Sequence, residues 1–529
     1  MKRFLLFVCA VLILGGASHA ASGNYPPDNT NVQLTSTNLP IVWINVGGRI
    51  IDRHQRITAS MKILHNGDGQ LNYADTIAHP GQHIDYEGYI GLRYRGNSSY
   101  GMSAKKPYSF RPLDKPLESG GEKVKVKILG MGKDNDWALL APYADKSMIR
   151  DLLAFEVSRP WMEYVPQGRL CELFLDGTYY GVYVLTEVVS KGKHRLNLED
   201  PGTEDDEITG GYLMEVDRSE GMFYISRYHP VSMNGTQYPQ RYIHIQYKSP
   251  DYEDLTQDQV KYITGRIYEM ETALWNYRVG GTPTYRNYID MMNFVDYQIA
   301  MEFGHNVDGY RLSGKFYKHR DSQDARFKMA LWDMNLAYGN SNYYRGWRTD
   351  TWIYQNNDVI NEKDDPYLIP FWWYKLNTDP DYVKALKSRW KKYRQSNLRE
   401  DRLMATVDSL ANVLTINGAE SRNSLAWPRW RKYVWPNFYL AKNFQDEIGY
   451  LKQWLIDRLA WMDSQLGYDP TVVSGDVNGD GEVNIGDVNA LIDIIMGNPD
   501  DTQGSSDVNS DDEVNIADIN AVISAIMGN

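Results

Sequence analysis

Two acidic loops near the C-terminus constrain this chain more than any other feature. They read DVNGDGEVNIGD from residue 476 and DVNSDDEVNIAD from residue 507, and each leads into an apolar helical pattern. Both place oxygen-bearing side chains at loop positions 1, 3, 5, 9 and 12 and a backbone carbonyl at position 7, which is the arrangement of a calcium cage. Repetition of the whole pattern argues strongly against chance. The second loop has Asp512 where glycine is usual, at a position that favours positive φ, so its site is predicted to be the weaker one.

The charge of the chain is concentrated in this tail. Residues 474–529 contain twelve Asp or Glu residues and no Lys or Arg, whereas the formal net charge of the whole chain is −12. The rest of the chain is therefore close to neutral. It has no basic field of the kind that binds nucleic acid, and nucleic-acid partners are not expected.

The first twenty residues have the pattern of a secretory signal peptide. Lys2 and Arg3 precede the apolar run Phe4–Leu14, and Ser18-His19-Ala20 forms a small-x-small cleavage site. The run is too short to span a bilayer, and no other stretch is long and apolar enough to do so. The mature chain is thus predicted to be exported from a bacterium, to the medium or the cell surface, without a transmembrane helix. Its one remaining cysteine, Cys171, excludes an intramolecular disulfide, so a large core must hold the fold.

The pattern changes from strands to helices along the chain. Alternating apolar runs separated by Gly, Asp and Asn turns predict antiparallel strands up to about Lys248, and helical periodicity dominates from Gln257. The clearest hairpin runs from Cys171 to Glu187 with Asp176-Gly177 as its turn, and Ala144–Arg159 has helical spacing. The predicted units are a signal peptide (1–20), a disordered leader (21–38), a main domain (39–469), a linker (470–474) and the acidic tail (475–529).

The segment Gly304–Asn340 carries the residues of greatest chemical interest. Asp308 lies in a polar turn after a helical pattern, and Asp333 follows the second of two strand-like runs. Since a hairpin returns its far end close to its start, both carboxylates should lie close together at the open end of the hairpin. One carboxylate to take a proton and one to hold a divalent cation is the minimum for phosphoryl transfer from Mg-ATP. The alternative is that Asp308 belongs only to a turn and that Asp333 is a cap.

A second region has features of a phosphate-binding site. The turn Arg95-Gly-Asn-Ser-Ser99 precedes a strand that opens with Lys105 and Lys106, so backbone amides and an ammonium group could face phosphates. A plain hairpin with a solvated end is the alternative. Glu156 could aim one of these lysines or could pair with Arg159 at the surface. Neither GxxxxGK[ST] nor GxGxxG occurs, so there is no P-loop and no ordinary kinase glycine loop.

The tail resembles a type I dockerin, because both loops end in Asp and only the second helix of each motif is present. The resemblance implies a small, α-helical, EF-hand-like module that binds two Ca²⁺ ions and docks onto a cohesin of a scaffold or surface protein. It also implies the ligands. They are Asp476, Asn478, Asp480, Asn484 and Asp487 for the first ion, Asp507, Asn509, Asp511, Asn515 and Asp518 for the second, with the position-7 carbonyls of Glu482 and Glu513.

The main domain resembles the CotH family of spore-coat-type atypical protein kinases. The matching pieces fall in order across roughly 90–340, which makes the set more specific than any member. They are Arg95-Gly-Asn-Ser-Ser99, Lys105-Lys-Pro-Tyr108, Asp136-Trp137, Asp145-Lys-Ser-Met-Ile-Arg150, Gly181-Val-Tyr-Val-Leu-Thr-Glu187, Asn306-Val-Asp308 and Trp332-Asp333.

This resemblance implies an α+β fold with a two-lobed, protein-kinase-like body, a β-rich N-terminal half and a helical C-terminal half. It implies transfer of phosphate from ATP, with Mg²⁺ or Mn²⁺, to Ser-rich proteins. Asp308 would be catalytic and Asp333 would bind the metal, while Lys105 or Lys106, with Arg95 and Glu156, would serve the nucleotide. One departure is Ser313, which stands where a kinase catalytic loop has a metal-binding Asn. Asn306 or Asn335 would then substitute, or a single metal would bind.

Three functions are compatible with these patterns. The leading one is a secreted, dockerin-bearing protein kinase. ATP is scarce outside cells, so the main alternative is a kinase-like surface or binding module without catalysis. The third is a carbohydrate-active component of a dockerin-assembled, polysaccharide-degrading complex, which would use Asp308 and Asp333 as an acid/base pair.

Overall fold

The computed structural model describes residues 24–471, 475–480, 482–497, 506–509, 511 and 513–527. The predicted signal peptide and Asp512 lie outside this part of the chain. Within it, strands dominate up to Ser249 and helices dominate afterwards, which confirms the predicted β-rich first half and helical second half. No helix among the described residues has the length and apolar character needed to cross a membrane.

A closed β-barrel occupies the first half. It closes because Gly168–Leu175 pairs in parallel with Ile41–Asn45, whereas the other neighbours are antiparallel. The predicted hairpin is present, and the positive φ of Asp176 (46°) and Gly177 (78°) is what its tight turn requires. The barrel strands are Ile41–Asn45, Ile57–Leu64, Ile84–Tyr94, Tyr108–Leu113, Trp137–Leu140, Gly168–Leu175 and Thr178–Glu187.

A five-stranded sheet connects the barrel to the helical half. Its middle strand, Tyr212–Val216, pairs antiparallel with His244–Ser249 on one side and with Gly314–Lys318 on the other. Gly314–Lys318 in turn pairs with Lys328–Ala330, which completes the hairpin expected around Asp333. The strands are Tyr212–Val216, Phe223–Ile225, His244–Ser249, Gly314–Lys318 and Lys328–Ala330.

The helices pack on this sheet and form the largest buried apolar cluster, whereas the barrel has its own core and the tail a small third one. The longest helix, Phe444–Leu466, begins at Asn443, whose side chain accepts a hydrogen bond from the amide of Asp446. Among the described residues, the helices of eight or more residues are Arg150–Ser158, Gln257–Asn276, Met291–Gly304, Pro380–Arg394, Glu400–Thr415, Ala419–Ala426, Phe444–Leu466, Ile485–Ile495 and Ile516–Met527, and shorter α-helices are Ser98–Met102, Asp321–Asp324 and Phe371–Leu376.

The leader predicted to be disordered is ordered from Asn24 to Asn38. Val32 and Leu34 are buried against the barrel, and Ser36–Thr37 pairs with Asn72–Tyr73. The side chain of Asn24 accepts a hydrogen bond from the backbone amide of Ile51 at 2.9 Å. The prediction is corrected for these residues, because a few well-placed apolar side chains outweigh a polar composition when a barrel surface is available to cover.

The helix predicted over Ala144–Arg159 begins only at Arg150. Asp145 accounts for the difference, since its carboxylate accepts hydrogen bonds from the backbone amides of Ser147 (3.1 Å) and Arg150 (2.9 Å). These bonds hold a turn in which Met148 has a φ of 63°. Short polar side chains compete in this way with helical hydrogen bonds, which delays the start of the helix.

Candidate active site and calcium-binding loops

The hairpin places Asp308 and Asp333 beside each other. The helix Met291–Gly304 ends at His305, whose φ of 47° turns the chain into the loop before the hairpin. Asn306 joins both sides of the site. Its side-chain amide donates to the backbone oxygen of Asp333 at 3.0 Å, and its side-chain oxygen accepts from the backbone amide of Asp308 at 3.3 Å. The polar atoms of Asn306 thus brace the two loops.

The Asp308 carboxylate is held in a defined position. Arg311 donates to one of its oxygens at 2.7 Å, and the hydroxyl of Tyr343 donates to the other at 3.4 Å. Arg311 is itself fixed by Asp365 at 2.7 Å and is almost fully buried, whereas about a fifth of the Asp308 side chain is exposed. Asp308 is therefore oriented by a buried cation and remains accessible to an incoming group.

Asp333 lies three residues after the last strand of the hairpin, Lys328–Ala330. Solvent reaches its side chain, yet surrounding protein atoms desolvate it, and this burial together with the charge of Asp308 raises its pKa. The Ser313 hydroxyl donates to one carboxylate oxygen at 3.2 Å, and the Asn335 amide donates to the other at 2.7 Å. Asp333 and Ser313 have φ values of 60° and 57°, which are rare outside glycine and concentrate at functional sites.

Ser313 and Asn335 both border the carboxylate predicted to bind metal. The residues around Asp333 offer carboxylate, hydroxyl and carboxamide oxygens, the ligand types that Mg²⁺ and Mn²⁺ prefer. Among the described residues, no three or more His, Cys, Asp or Glu side chains are gathered for an ion. A metal here would therefore be held through one or two carboxylates together with groups of the substrate, as is usual for Mg²⁺.

Arg95 faces this site. Its guanidinium group lies over the ring of Trp332, 5.1 Å from the centroid, and interacts electrostatically with Asp333 and Asp151. Its Nη1 atom is buried and has no hydrogen-bond partner within the described part of the chain. Burial lowers the pKa of Arg95, although a guanidinium group stays charged at neutral pH. A buried cation with an unused donor is suited to an anionic ligand.

The two candidate lysines do not face the aspartates. The Lys105 ammonium group donates to the backbone oxygen of Val182 and to the side-chain oxygen of Asn423, and burial holds its pKa well below the usual range. Lys106 donates to the backbone oxygens of Tyr100 (2.5 Å) and Ser103 (2.6 Å). Both ammonium groups are thus used to satisfy carbonyl oxygens in and around the barrel.

Glu156 is also placed away from the site. It is exposed on the helix Arg150–Ser158 and pairs with Arg159 at 3.1 Å, which is the surface alternative left open by the sequence. The residue of this helix that reaches the site is Asp151, whose carboxylate accepts from the backbone amide of Met334 at 2.8 Å. Burial and the nearby Asp333 raise the pKa of Asp151 to about 8.

Sequence reasoning also missed a buried ion cluster next to the site. Glu215 pairs with Lys315 at 2.5 Å and with Lys248 at 3.0 Å, across three adjacent strands of the five-stranded sheet. Burial opposes ionisation of Glu215, but the two ammonium groups outweigh it and lower its pKa to about 2. The sequence did contain an indication of this cluster, because Glu215 lies in the apolar strand Tyr212–Val216 and a buried glutamate needs a charged or hydrogen-bonding partner.

The first acidic loop is closed by its twelfth residue. Asp487 is fully buried, and its carboxylate accepts from the backbone amides of Val477 (2.7 Å), Asn478 (3.1 Å) and Asn484 (2.8 Å). The buried carboxylate and the neighbouring carboxamide and backbone oxygens form a set of hard oxygen donors, which fits Ca²⁺.

The second loop repeats this arrangement around Asp518. Its carboxylate accepts from the amides of Val508 (2.7 Å), Asn509 (3.1 Å) and Asn515 (2.9 Å), so the two loops have matching hydrogen bonds. The helices that follow pack against each other through a small apolar cluster that includes Leu491 and Val522. The tail is therefore a pair of loop–helix units, as the repeated sequence pattern predicts.

Comparisons with known proteins agree with this division of the chain. A model of the CotH kinase protein family matches residues 92–462, and a model of the dockerin type I domain matches residues 474–527. The first match spans more than half of the chain, so this chain belongs to the CotH family, and its tail is a type I dockerin domain. No curated protein matches the chain. The dockerin domain implies calcium binding.

Calcium binding by the first loop is expected to depend on Asp487. Replacing Asp487 with Ala removes a predicted, negatively charged ligand and three loop-closing hydrogen bonds, so the affinity of that site should fall by at least about tenfold. Asp493→Ala is the matched control, because Asp493 is exposed on the helix after the loop. Calcium titration calorimetry of the full chain measures both. Equal losses in the two variants would contradict a specific role for Asp487.

Proposed function

We propose that this protein is a secreted protein kinase that transfers phosphate from Mg-ATP to hydroxyl groups of a Ser-rich protein. The observation that carries the proposal is the pairing of an oriented carboxylate, Asp308, with a second carboxylate, Asp333, at the mouth of one hairpin. Its body would have the two-lobed, kinase-like architecture, with the barrel and the helical half as its lobes. Membership of the CotH family supports the proposal.

In this proposal, Asp308 receives or orients the proton of the acceptor hydroxyl. Arg311 keeps its carboxylate aimed at one place, which is the geometric requirement for a general base. Mg-ATP supplies the phosphoryl group and the charge neutralisation that its transfer requires. Asp333, with Ser313 and Asn335 beside it, would hold the metal, and the unused Nη1 of Arg95 would bind phosphate oxygen.

Arg95 would thus take the phosphate-binding role first assigned to Lys105 or Lys106. The reason is chemical, because a buried guanidinium group stays protonated where a buried ammonium group loses its proton. Glu215, the carboxylate of the ion cluster with Lys315 and Lys248, lies close enough to contribute to the raised pKa of Asp333. In the proposed kinase, this cluster on the five-stranded sheet would influence the electrostatic potential at the nucleotide site.

The dockerin implies a cohesin partner. We propose that it attaches the enzyme to a cohesin-bearing scaffold or cell surface after export. Attachment would keep the kinase near a limited set of acceptor proteins and raise their effective concentration.

The proposal is tested by nucleotide binding. Calorimetry of Mg-ATP with the chain from residue 21 onward, in calcium, should show metal-dependent binding that Asp333→Ala reduces by at least about tenfold. Asp401→Ala is the matched control, since Asp401 forms a surface pair with Arg399. Absence of binding by the folded wild-type protein at millimolar Mg-ATP would overturn the kinase assignment.

The alternative, a kinase-like binding module without catalysis, is favoured by one observation. Neither Lys105 nor Lys106 is available to a nucleotide, because their ammonium groups are used elsewhere. The same calorimetry separates the two functions, since this module predicts no Mg-ATP binding in any variant.

A further inference from the structure

A pocket opens on the helical half of the chain, and neither Asp308 nor Asp333 belongs to its lining. It has a volume of about 440 Å³, within the usual range for small-molecule sites, and it is open to solvent. The loops around Trp347 and Phe438 contribute to the lining through a stacked pair of rings, and the helix Phe444–Leu466 contributes the rest of the aromatic and polar lining. Neither loop carries a residue assigned above to the nucleotide or the metal.

The pocket is lined by rigid aromatic rings. Trp347 and Phe438 stack on each other, with centroids 5.1 Å apart and planes 7° apart, so only their outward faces and edges are open to a ligand, and Phe438 is 45% exposed. The indole of Trp454 donates to the backbone oxygen of Trp347 at 2.9 Å, which fixes the loop on the helix. Tyr450 donates to the backbone oxygen of Gly339 at 2.8 Å. Rings held in place before binding lose little entropy when a ligand stacks on them.

The rim carries planar polar groups that brace one another. Arg348 makes two hydrogen bonds to Asp350, both at 2.7 Å, and the side chain of Gln453 donates to Asp457 at 2.8 Å. All four side chains belong to exposed residues. Each pair presents donors and acceptors side by side, which matches adjacent hydroxyl groups on one molecule.

The charge of the rim limits the ligand. One guanidinium group and two carboxylates leave the rim with a net negative charge, so phosphate, sulfate and carboxylate ligands are disfavoured. The aromatic wall, in contrast, requires a ligand with an apolar face. A neutral sugar ring has both properties, because its C–H groups form an apolar face and its hydroxyls lie around the edge.

We propose that this pocket binds a neutral pyranose unit of an oligosaccharide, with the sugar ring against the open side of the stacked Trp347–Phe438 pair and its hydroxyls at Gln453 and Asp457. Binding here needs neither ATP nor metal. It would give a cell-surface or secreted protein a second attachment point, on a glycan, in addition to its dockerin. The inference therefore holds or fails separately from phosphoryl transfer.

The test is titration calorimetry with the chain from residue 21 onward, in calcium and without nucleotide. The probes are cellohexaose and xylohexaose as neutral oligosaccharides and a galacturonic acid hexamer as an anionic one. We expect at least one neutral probe to bind and the anionic probe to bind more weakly. Trp347→Ala should weaken binding by about tenfold, because it removes the aromatic face.

Two further variants make the test specific. Trp430→Ala is the matched control, since Trp430 is a half-buried tryptophan outside the pocket, and it should bind as the wild type does. Gln453→Ala changes only an exposed rim residue, so it keeps the fold and should still weaken binding. The proposal is overturned if no neutral probe binds the folded protein at millimolar concentration. It is also overturned if Trp347→Ala and Gln453→Ala bind like the wild type.

Discussion

Replacing Asp308 with Asn is expected to slow phosphate transfer strongly while Mg-ATP still binds. The substitution keeps the shape of the side chain and its contact with Arg311, but it removes the negative charge that, in the proposed mechanism, orients or deprotonates the acceptor hydroxyl. General-base catalysis contributes about 10²- to 10⁴-fold to a rate, so a loss of that size is expected in kcat. Transfer of labelled phosphate from ATP to a synthetic Ser-rich peptide measures it.

Asp365→Asn provides the matched control for this experiment. Asp365 holds Arg311 from the other side, at 2.7 Å, and lies outside the hydrogen-bonded set around Asp333. A smaller loss is expected there, because the Asp308 carboxylate keeps its charge and its own bond to Arg311. Transfer by Asp308→Asn at the wild-type rate would show that this carboxylate is not the base, whatever the nucleotide-binding result.

Replacing Arg150 with Met is expected to destabilise the body by about 3–5 kcal/mol. Arg150 is fully buried, and one of its nitrogens pairs with Asp145 at 2.6 Å and with Glu447 at 2.8 Å. Removing the guanidinium group leaves two buried carboxylates close together without the cation that is hydrogen-bonded to both of them. The free energy of unfolding of the body, from urea denaturation of the full chain in calcium, measures the effect.

A surface pair supplies the comparison for Arg150. Arg399→Met breaks the exposed pair with Asp401 and should cost no more than about 1 kcal/mol. Adding Asp145→Asn and Glu447→Gln to Arg150→Met should recover part of the lost stability, because the buried carboxylates are then neutral. Equal effects of Arg150→Met and Arg399→Met would show that the buried network does not hold the body together.

The Arg150 network also bears on the site. The next residue, Asp151, accepts a hydrogen bond from the amide of Met334, which adjoins Asp333. The helix that Arg150 anchors therefore reaches directly to the backbone beside the predicted metal ligand. A partly destabilised Arg150→Met protein that still folds is expected to bind Mg-ATP more weakly, even though Arg150 touches no part of the site.

The sequence by itself predicted the features that depend on neighbouring residues. The spacing of oxygen-bearing side chains defined the two acidic loops, and the Cys171–Glu187 hairpin followed from its Asp176-Gly177 turn. The proximity of Asp308 and Asp333 could be predicted from the sequence, because the hairpin that joins them is formed by the residues between them. Local patterns of this kind need no knowledge of the rest of the fold.

The tertiary structure decided how the charged residues are used. Lys105 was a good candidate for phosphate until the fold brought Asn423, 318 residues away, to its ammonium group. Arg95 was one candidate among several until the fold placed it over Trp332 and left its Nη1 without a hydrogen-bond partner in the part of the chain that the structure describes. Burial and ion pairing depend on segments that are distant in sequence, and the large free energy of burying a charge makes those distant contacts decide which cation serves a ligand and which serves the fold.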